Sequence, residues 1–407
     1  MFRAMALGYD ELRRVTEEVR LPAVVVDLDA FDRNLDRHLS VLAAWQLPLR
    51  VATKSLRVPA LIERVLGRRG ARGLMCFHAG EAARLADRGI DDLFVAYPVF
   101  GTADLRALCD LTARGVTVSV AVDSEEGLRR YSEVASGAGV SLNVVLCVDM
   151  SLKMANGRVH VGVRRSPLHT SNDVVGLAER ARRLPGIVVY GILGYEAQVA
   201  GLGDASAYDS VVVRLGKRVL RHVSMRELAA RRSRIVEALR SRGFELAFVN
   251  GGGTGSLDLT SPITGVTEVT AGSGLYKPLL FDAYESAFVK SLEPSCFFAL
   301  EVTRRPGPRV VTCAGGGYVA SGAAGPDKLP RPFAPSGLEL LPMEGAGEVQ
   351  TPLRGYAADA LRLGDPVFFR HAKAGELMER FNEVVLLRDG RAVDRVKTYR
   401  GEGWSFA

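Results

Sequence analysis

The chain is poor in residues that staple or bridge. Its five cysteines (Cys76, Cys109, Cys147, Cys296, Cys313) lie far apart, several inside apolar runs, and none stands in a close pair. That spacing excludes a zinc ribbon or a CxxC redox motif, so the thiols read as reduced core residues of a cytoplasmic protein. No apolar run reaches the ~20 residues needed to cross a bilayer. The opening, MFRAMALGYDELRRVTEEVR, turns amphipathic and charged too quickly for a signal peptide. A net charge of +7 over 407 residues is small. The basic clusters RRLPG (182–186) and RELAARRSR (226–234) carry no interleaved aromatics, so they read as solvated helix faces rather than a nucleic-acid surface. Repeats and low-complexity tracts are absent.

Short apolar strands alternate with helical stretches through the first 275 or so residues. They read as AVVVDLD (23–29), RVATKS (50–55), GLMCFH (73–78), LFVAYP (93–98), TVSVAVD (117–123), LNVVLCVDM (142–150), IVVYGILGYE (187–196), LAFVNGGG (246–253) and TEVTAGS (267–273). Helical period fills the gaps, as in AGEAARLADRG and SMRELAARRSRIVEALRSRG. Buried strands joined by helices imply parallel βαβ units. If the first of these nine strands lies outside, the other eight close a TIM-like (β/α)8 barrel that begins with the strand before Lys54. An open doubly wound sheet is the alternative, because periodicity does not register closure. After about residue 290 strands and turns replace helices, with Asp389-Gly390 as a strong hairpin signal. The expected organisation is an N-terminal segment (1–30), a barrel (31–285), and a C-terminal, mostly antiparallel β domain (286–407).

Chemistry-bearing residues gather at strand ends. Lys54 closes an apolar run, and barrels place their active sites at the carboxyl ends of their strands. Apolar walls there lower a lysine pKa and free the amine for Schiff-base formation. The bland alternative is a lysine that reaches the rim or pairs with Asp27 or Asp149. NGGGTGS (250–256) and AGSGLY (271–276) end two consecutive late strands, and such turns offer backbone N–H groups to a phosphate. Neither is a P-loop or a dinucleotide fingerprint. A lysine at one strand end and a phosphate cradle on the last two suit pyridoxal phosphate. His78, Tyr97, Tyr195 and Gln198 are further polar residues near strand ends.

LPAVVVDLDAFDRNL, VATKS, FHAGEAARLADRGIDDLFVAYPV, NGGGTGS, AGSGLY and FRHAKAGE together resemble fold-type III pyridoxal phosphate enzymes, with an alanine-racemase-type barrel. More narrowly, they are similar to the D-threonine aldolase and D-serine dehydratase group, including relatives labelled amino acid deaminase/aldolase. The resemblance implies that Lys54 carries the cofactor and that Gly252, Gly253, Thr254 and Tyr276 lie near its phosphate. It implies that Tyr195 lies beside the cofactor, and it leaves His78 facing either the ring or a loop. It also implies that the N-terminal segment joins the β domain, which spacing does not show, and a homodimer in which the β domain of one chain covers the site of the other.

Two departures stand out. Metal-dependent relatives bind a divalent ion through a histidine and a cysteine or aspartate two residues later. Here His371 is present, but Lys373 takes the second position, and an ammonium offers no lone pair. Glu376 is the remaining carboxylate that could join His371. The expectation is that Lys373 supplies the missing positive charge near the substrate, or else pairs structurally with Glu376 or Glu344. In GRVHVGVRR, His160 stands where relatives often carry an arginine that approaches the cofactor ring. The expected reaction is retro-aldol cleavage of a β-hydroxy-α-amino acid, of D configuration by resemblance, with His371 as the base for the hydroxyl proton. Dehydration with deamination is the alternative. A non-catalytic pyridoxal phosphate carrier and a cofactor-free Schiff-base aldolase are the readings from other classes.

Overall fold

The computed structural model describes residues 7–154 and 157–406. In chain order its first strands are β1 (Ala23–Asp27), β2 (Leu49–Ala52), β3 (Ala71–Cys76), β4 (Leu93–Val95), β5 (Val118–Val122) and β6 (Leu142–Cys147). A small hairpin, β7 (Leu152–Met154) and β8 (Val159–Val161), precedes β9 (Ile187–Gly194), β10 (Phe248–Gly251) and β11 (Glu268–Ala271). Eight of these form a closed barrel in the order β10-β11-β2-β3-β4-β5-β6-β9. All its pairings are parallel, and Val269 opposite Leu49 makes the closing seam. The open-sheet alternative is therefore ruled out.

Side chains fill the barrel. Phe94, Ala96, Ala121, Val145, Leu193 and Phe248 pack as one cluster inside it. Arg50, 1% exposed, holds Glu268 through Nε at 2.7 Å and Nη2 at 2.9 Å, and Asp92 through Nη1 at 2.9 Å. A buried guanidinium survives because its neighbours satisfy it on both sides.

The second domain comprises β12 (Cys296–Gly307), β13 (Val310–Ala314), β14 (Arg331–Ala334), β15 (Glu339–Leu340), β16 (Gln350–Arg354), β17 (Pro366–Arg370), β18 (Glu383–Arg388) and β19 (Arg391–Lys397). β1 enters this sheet, antiparallel to β12 and parallel to β18. Asp389 and Gly390 both take positive φ (49° and 67°), the geometry of a tight hairpin between β18 and β19.

Two elements differ from expectation. The helix read from residue 224 begins at Val211 and runs to Arg240, with Ser210 Oγ accepting from Val213 N. Three consecutive valines and Gly216 weaken the helical signal there, and the N-cap outweighs them. The β7–β8 hairpin is too short to register as alternation.

Candidate active site

β2 ends at Ala52, and Thr53–Ser55 turn once as a 3-10 helix before Pro59 starts the helix Pro59–Leu66. Thr53 Oγ1 donates to Met75 O at 3.0 Å, which locks the turn onto β3. This aims Lys54 into a cavity of about 450 Å³ at the carboxyl ends of the barrel strands. Its Nζ donates to Tyr97 Oη at 3.0 Å. The cavity walls are largely apolar, as expected, with Ala52, Met75, Ala96, Val148 and Leu193 among them, but they do not enclose the amine. The side chain is exposed in the cavity and faces a phenol, because the 3-10 turn lifts it off the strand. Neither proposed acidic partner is used: Asp27 caps the helix Leu28–Ala43, and Asp149 binds Lys153 at 2.9 Å.

The two glycine turns share this cavity. Gly252, Gly253, Thr254, Gly272 and Ser273 line it together with Ser55. Gly252 has φ +86°, and a Cβ there would stand 2.5 Å from Val269 Cγ1. A Cβ at Gly272 would meet Ala52 O at 2.8 Å, so the turn after β11 packs directly on the turn that carries Lys54. Ser55 Oγ and Ser273 Oγ are 2.9 Å apart, and Thr254 Oγ1 accepts from Gly274 N at 3.0 Å. Hydroxyls and glycine-turn amides beside one lysine are the neutral donor set that suits a phosphate monoester with an aldehyde. The residues present fit pyridoxal phosphate.

Tyr195 and Asn250 also line the cavity, with Arg165 at its rim. Arg165 lies 5.8 Å from the Tyr195 ring centre. Sequence reading passed over Arg165, Ser55, Ser273 and Asp123. Arg165 lies only five residues beyond His160, and the intervening β8 hairpin is what brings it, rather than His160, to the cavity. Burial raises the Asp123 carboxyl and pushes the Tyr195 phenol up to about 12.

Beneath the cradle lies a buried ion pair. Arg232, from the helix Val211–Arg240, donates through Nη2 to Gly194 O at 2.7 Å and to Glu196 Oε2 at 2.9 Å. Glu196 also accepts from Ser256 Oγ at 3.0 Å and from Thr260 Oγ1. Tyr195 is thus held between two residues that Arg232 binds, and the chain leaving the triple glycine is tied to the same carboxylate.

Five expected site residues do not line the inner cavity: Lys373, which lines an outer cleft, and the four whose side chains are engaged elsewhere. His78 Nδ1 accepts from Gly80 N at 3.0 Å, capping the helix Ala79–Ala86, and its ring stacks on Phe406. His160 sits on β8 with Nε2 3.3 Å from Val163 O. Tyr276 is fully buried, and its hydroxyl donates to Leu56 O at 3.0 Å. His371 is 2% exposed, packs edge-on to Tyr276, and has no hydrogen-bond partner at either ring nitrogen among the described residues. Burial, and secondarily Arg370, drives its pKa down to about 3. A helix cap, the Val163 carbonyl, the Leu56 carbonyl and burial engage these four side chains, and none faces the cavity.

The FRHAKAGE loop nevertheless reaches the site. Gly375, at φ +88°, lies so close to Lys54 that a Cβ would stand 1.8 Å from the Lys54 carbonyl oxygen. His371 O and Ala372 O accept from Leu279 N and Leu280 N, which fixes the loop to the segment after β11. Lys373 then lines an outer cleft of about 830 Å³ that shares Lys54, Ser55, Arg165 and Tyr195 with the inner cavity. Lys373 Nζ donates to Ser321 O at 2.6 Å, not to Glu376 or Glu344. Glu376 binds Ser321 as well, through its N and Oγ, so it does not join His371. Among the described residues no three His, Cys, Asp or Glu side chains converge as a metal-ligand group.

A further buried imidazole backs the cradle. His38 is 0% exposed, its Nδ1 lies 2.7 Å from Asn34 O, and a Cβ at Gly274 would be 2.7 Å from its Nε2. Burial lowers its pKa from 6.5 to about 4. The unfolded chain therefore binds the proton first. The stability contributed by neutral His38 is complete above pH 6.5 and is lost as pH falls toward 4. At about pH 5 the loss is ~2 kcal/mol. A His38→Leu variant is expected to show a flatter melting temperature than wild type between about pH 7 and 5; parallel curves would refute the assignment.

A model of the alanine racemase N-terminal domain matches residues 26–279. The chain belongs to this family of fold-type III pyridoxal phosphate proteins. Among curated relatives, D-threonine aldolase of an Arthrobacter species is 30% identical over 298 residues, 73% of this chain and 72% of that protein. The 3-hydroxy-D-aspartate aldolase of Paracoccus denitrificans is 29% identical over 289 residues, 70% of this chain and 65% of that one. The solved D-threonine aldolase of Filomicrobium marinum superposes with a TM-score of 0.81 at 22% identity, covering 96% of this chain and 97% of that one. D-threo-3-hydroxyaspartate dehydratase of Delftia superposes at 0.70 with 20% identity, covering 93% and 97%. The family's barrel and β domain are thus both present in this chain. No helix among the described residues is long and apolar enough to cross a membrane.

Proposed function

We propose that the protein is a pyridoxal-phosphate-dependent lyase that cleaves the Cα–Cβ bond of a β-hydroxy-α-amino acid of D configuration, giving a smaller amino acid and an aldehyde. The observation that carries this reading is the convergence of Lys54 Nζ and two glycine turns on one cavity. Family membership and the aldolase relatives support it. The bound cofactor supplies an electron sink for the charge released at Cα. Lys54 holds it, while Ser55, the Gly252–Thr254 turn and the Gly272–Ser273 turn bind its phosphate and exclude water. Tyr195, fixed by the Arg232–Glu196 pair, walls the site.

Cleavage requires a base for the β-hydroxyl proton. His371 was the candidate from sequence; the cavity itself offers Tyr97 Oη and Lys54 Nζ, 3.0 Å apart, as a proton-exchanging pair. Tyr97→Phe is expected to lower kcat about a hundredfold with KM little changed; an unchanged kcat would return the role to another group. The working unit is proposed to be a cytoplasmic homodimer.

The reading is tested by incubating the loaded enzyme with D- and L-β-hydroxy amino acids and identifying products. Aldehyde with a smaller amino acid is expected. Keto acid with ammonia would replace cleavage by dehydration, a reaction open to the same cavity. Absence of both from every substrate would leave a cofactor carrier.

A further inference from the structure

The outer cleft carries more positive charge than the reaction centre requires. Its cations divide into two groups. Arg57 pairs with Glu379 at 2.6 Å, Lys217 with Asp209, and Lys328 with Asp327. Lys373, Arg331 and Arg165 have no carboxylate within ion-pairing distance among the described residues; their contacts are Ser321 O, Tyr208 Oη and the Tyr195 ring. Of the carboxylates that line the cleft, Asp282 is held by Lys277 and Arg370, and Asp327 by Lys328. Glu376 accepts from the neutral Ser321, so its charge remains in the cleft and offsets one of the three free cations. With Glu376 counted against Arg165, Arg331 and Lys373, the local balance is still positive.

Position separates the three. Arg165 lines both the inner cavity and the outer cleft, within reach of a substrate α-carboxylate or of the cofactor. Lys373 and Arg331 line the outer cleft, which they share with Lys54, and not the inner cavity; Lys373 also borders a neighbouring cleft beside Arg57 and Arg380. Neither is needed by the glycine cradle, and neither lines the cavity where the Cα chemistry takes place. Lys373 is held over the cleft by the Gly375 contact with the Lys54 turn, and Arg331 by its 2.7 Å bond to Tyr208. Two fixed, unpaired cations beyond the reacting carbon form a recognition site for a second negative charge.

We infer that Lys373 and Arg331 bind an anionic group at the far end of the substrate side chain, so that the enzyme selects β-hydroxy-α-amino acids bearing a side-chain carboxylate over neutral ones. The inference rests on the proposed lyase reading and narrows it to an acidic substrate class. An ammonium and a guanidinium on separate elements discriminate by charge first. The amide isostere keeps the shape of the acid but not its charge, and it leaves both cations desolvated without a partner.

The test compares β-hydroxyaspartate with its neutral isostere β-hydroxyasparagine, both in the D series, on the cofactor-loaded enzyme. In parallel, D-aspartate and D-asparagine, which lack the β-hydroxyl and so cannot be cleaved, are titrated by the change they cause in cofactor absorption. The acid is expected to be favoured about tenfold or more in kcat/KM and in binding. Lys373→Met with Arg331→Met should erase that preference through KM, leaving kcat for the amide unchanged. Added salt should weaken the acid and not the amide. Equal constants for acid and amide, or a preference untouched in the double variant, would overturn the inference. If neither hydroxy acid is cleaved yet D-aspartate still binds more tightly and loses that advantage in the variant, the recognition site stands and the lyase reading fails.

Discussion

Lys54→Ala is expected to lose turnover by about a thousandfold or more, and with it the covalent hold on the cofactor. The side chain is exposed in its cavity, and the Thr53–Ser55 turn is fixed by Thr53 to Met75 O and by Ser55 to Ser273. Truncation beyond Cβ removes three solvent-exposed methylenes, the amine and its contacts with Tyr97, so folding should be preserved. Borohydride reduction followed by peptide mapping is the direct check. The wild-type peptide containing Lys54 should carry the cofactor mass, and the variant should carry none. Labelling at another lysine would move the site. Retained turnover in the variant would remove Lys54 from the chemistry, and a melting temperature equal to wild type would show that the loss is chemical rather than structural.

Arg232→Met should be the most damaging change away from the cavity surface. Arg232 and Glu196 are 1% and 0% exposed at the side chain. Removing one member of a buried pair leaves the other charge without a counterion, which typically costs about 3–5 kcal/mol. The damage has a direction, because Glu196 binds Ser256 and Thr260 downstream of the triple glycine, and Gly194 precedes Tyr195. The variant should therefore both melt earlier and release cofactor more readily. The double change Arg232→Met with Glu196→Gln separates the two effects. It removes the stranded carboxylate and should recover much of the stability, while the loosened turn keeps the cofactor affinity low. Full recovery of both would show that the pair does not position the cradle.

Much of the site was legible because it depends on local patterns. A lysine that ends an apolar run and glycine clusters that end two late strands are features of spacing, and strand ends in a parallel barrel all open on one face. Direction was not legible. His78, His160, Tyr276 and His371 stand at suitable levels of the chain, yet a cap on Gly80, a hairpin, a bond to Leu56 O and burial turn each away from the cavity. Ser273 lies inside AGSGLY, a turn that the spacing marks, and the β11–β2 seam brings it beside Ser55; nothing in the local sequence marks Arg165, which reaches the same cavity from beyond β8.

The sequence by itself determined the rhythm of strands and helices, the change to a β domain near residue 290, the turn at Asp389-Gly390 and the family to which the chain belongs. Those follow from hydrophobic period, turn chemistry and motif, all of which are set within a few residues. Only the tertiary structure decided that the eight strands close, since closure depends on Val269 meeting Leu49 across more than half the chain. It also decided that the Lys54 amine meets the Tyr97 phenol within largely apolar walls, and that Lys373 and Arg331 stand over the cleft without an ion-pair partner among the described residues. Pairing and exposure of a charge depend on distant chain segments, and no local pattern encodes which of them will arrive.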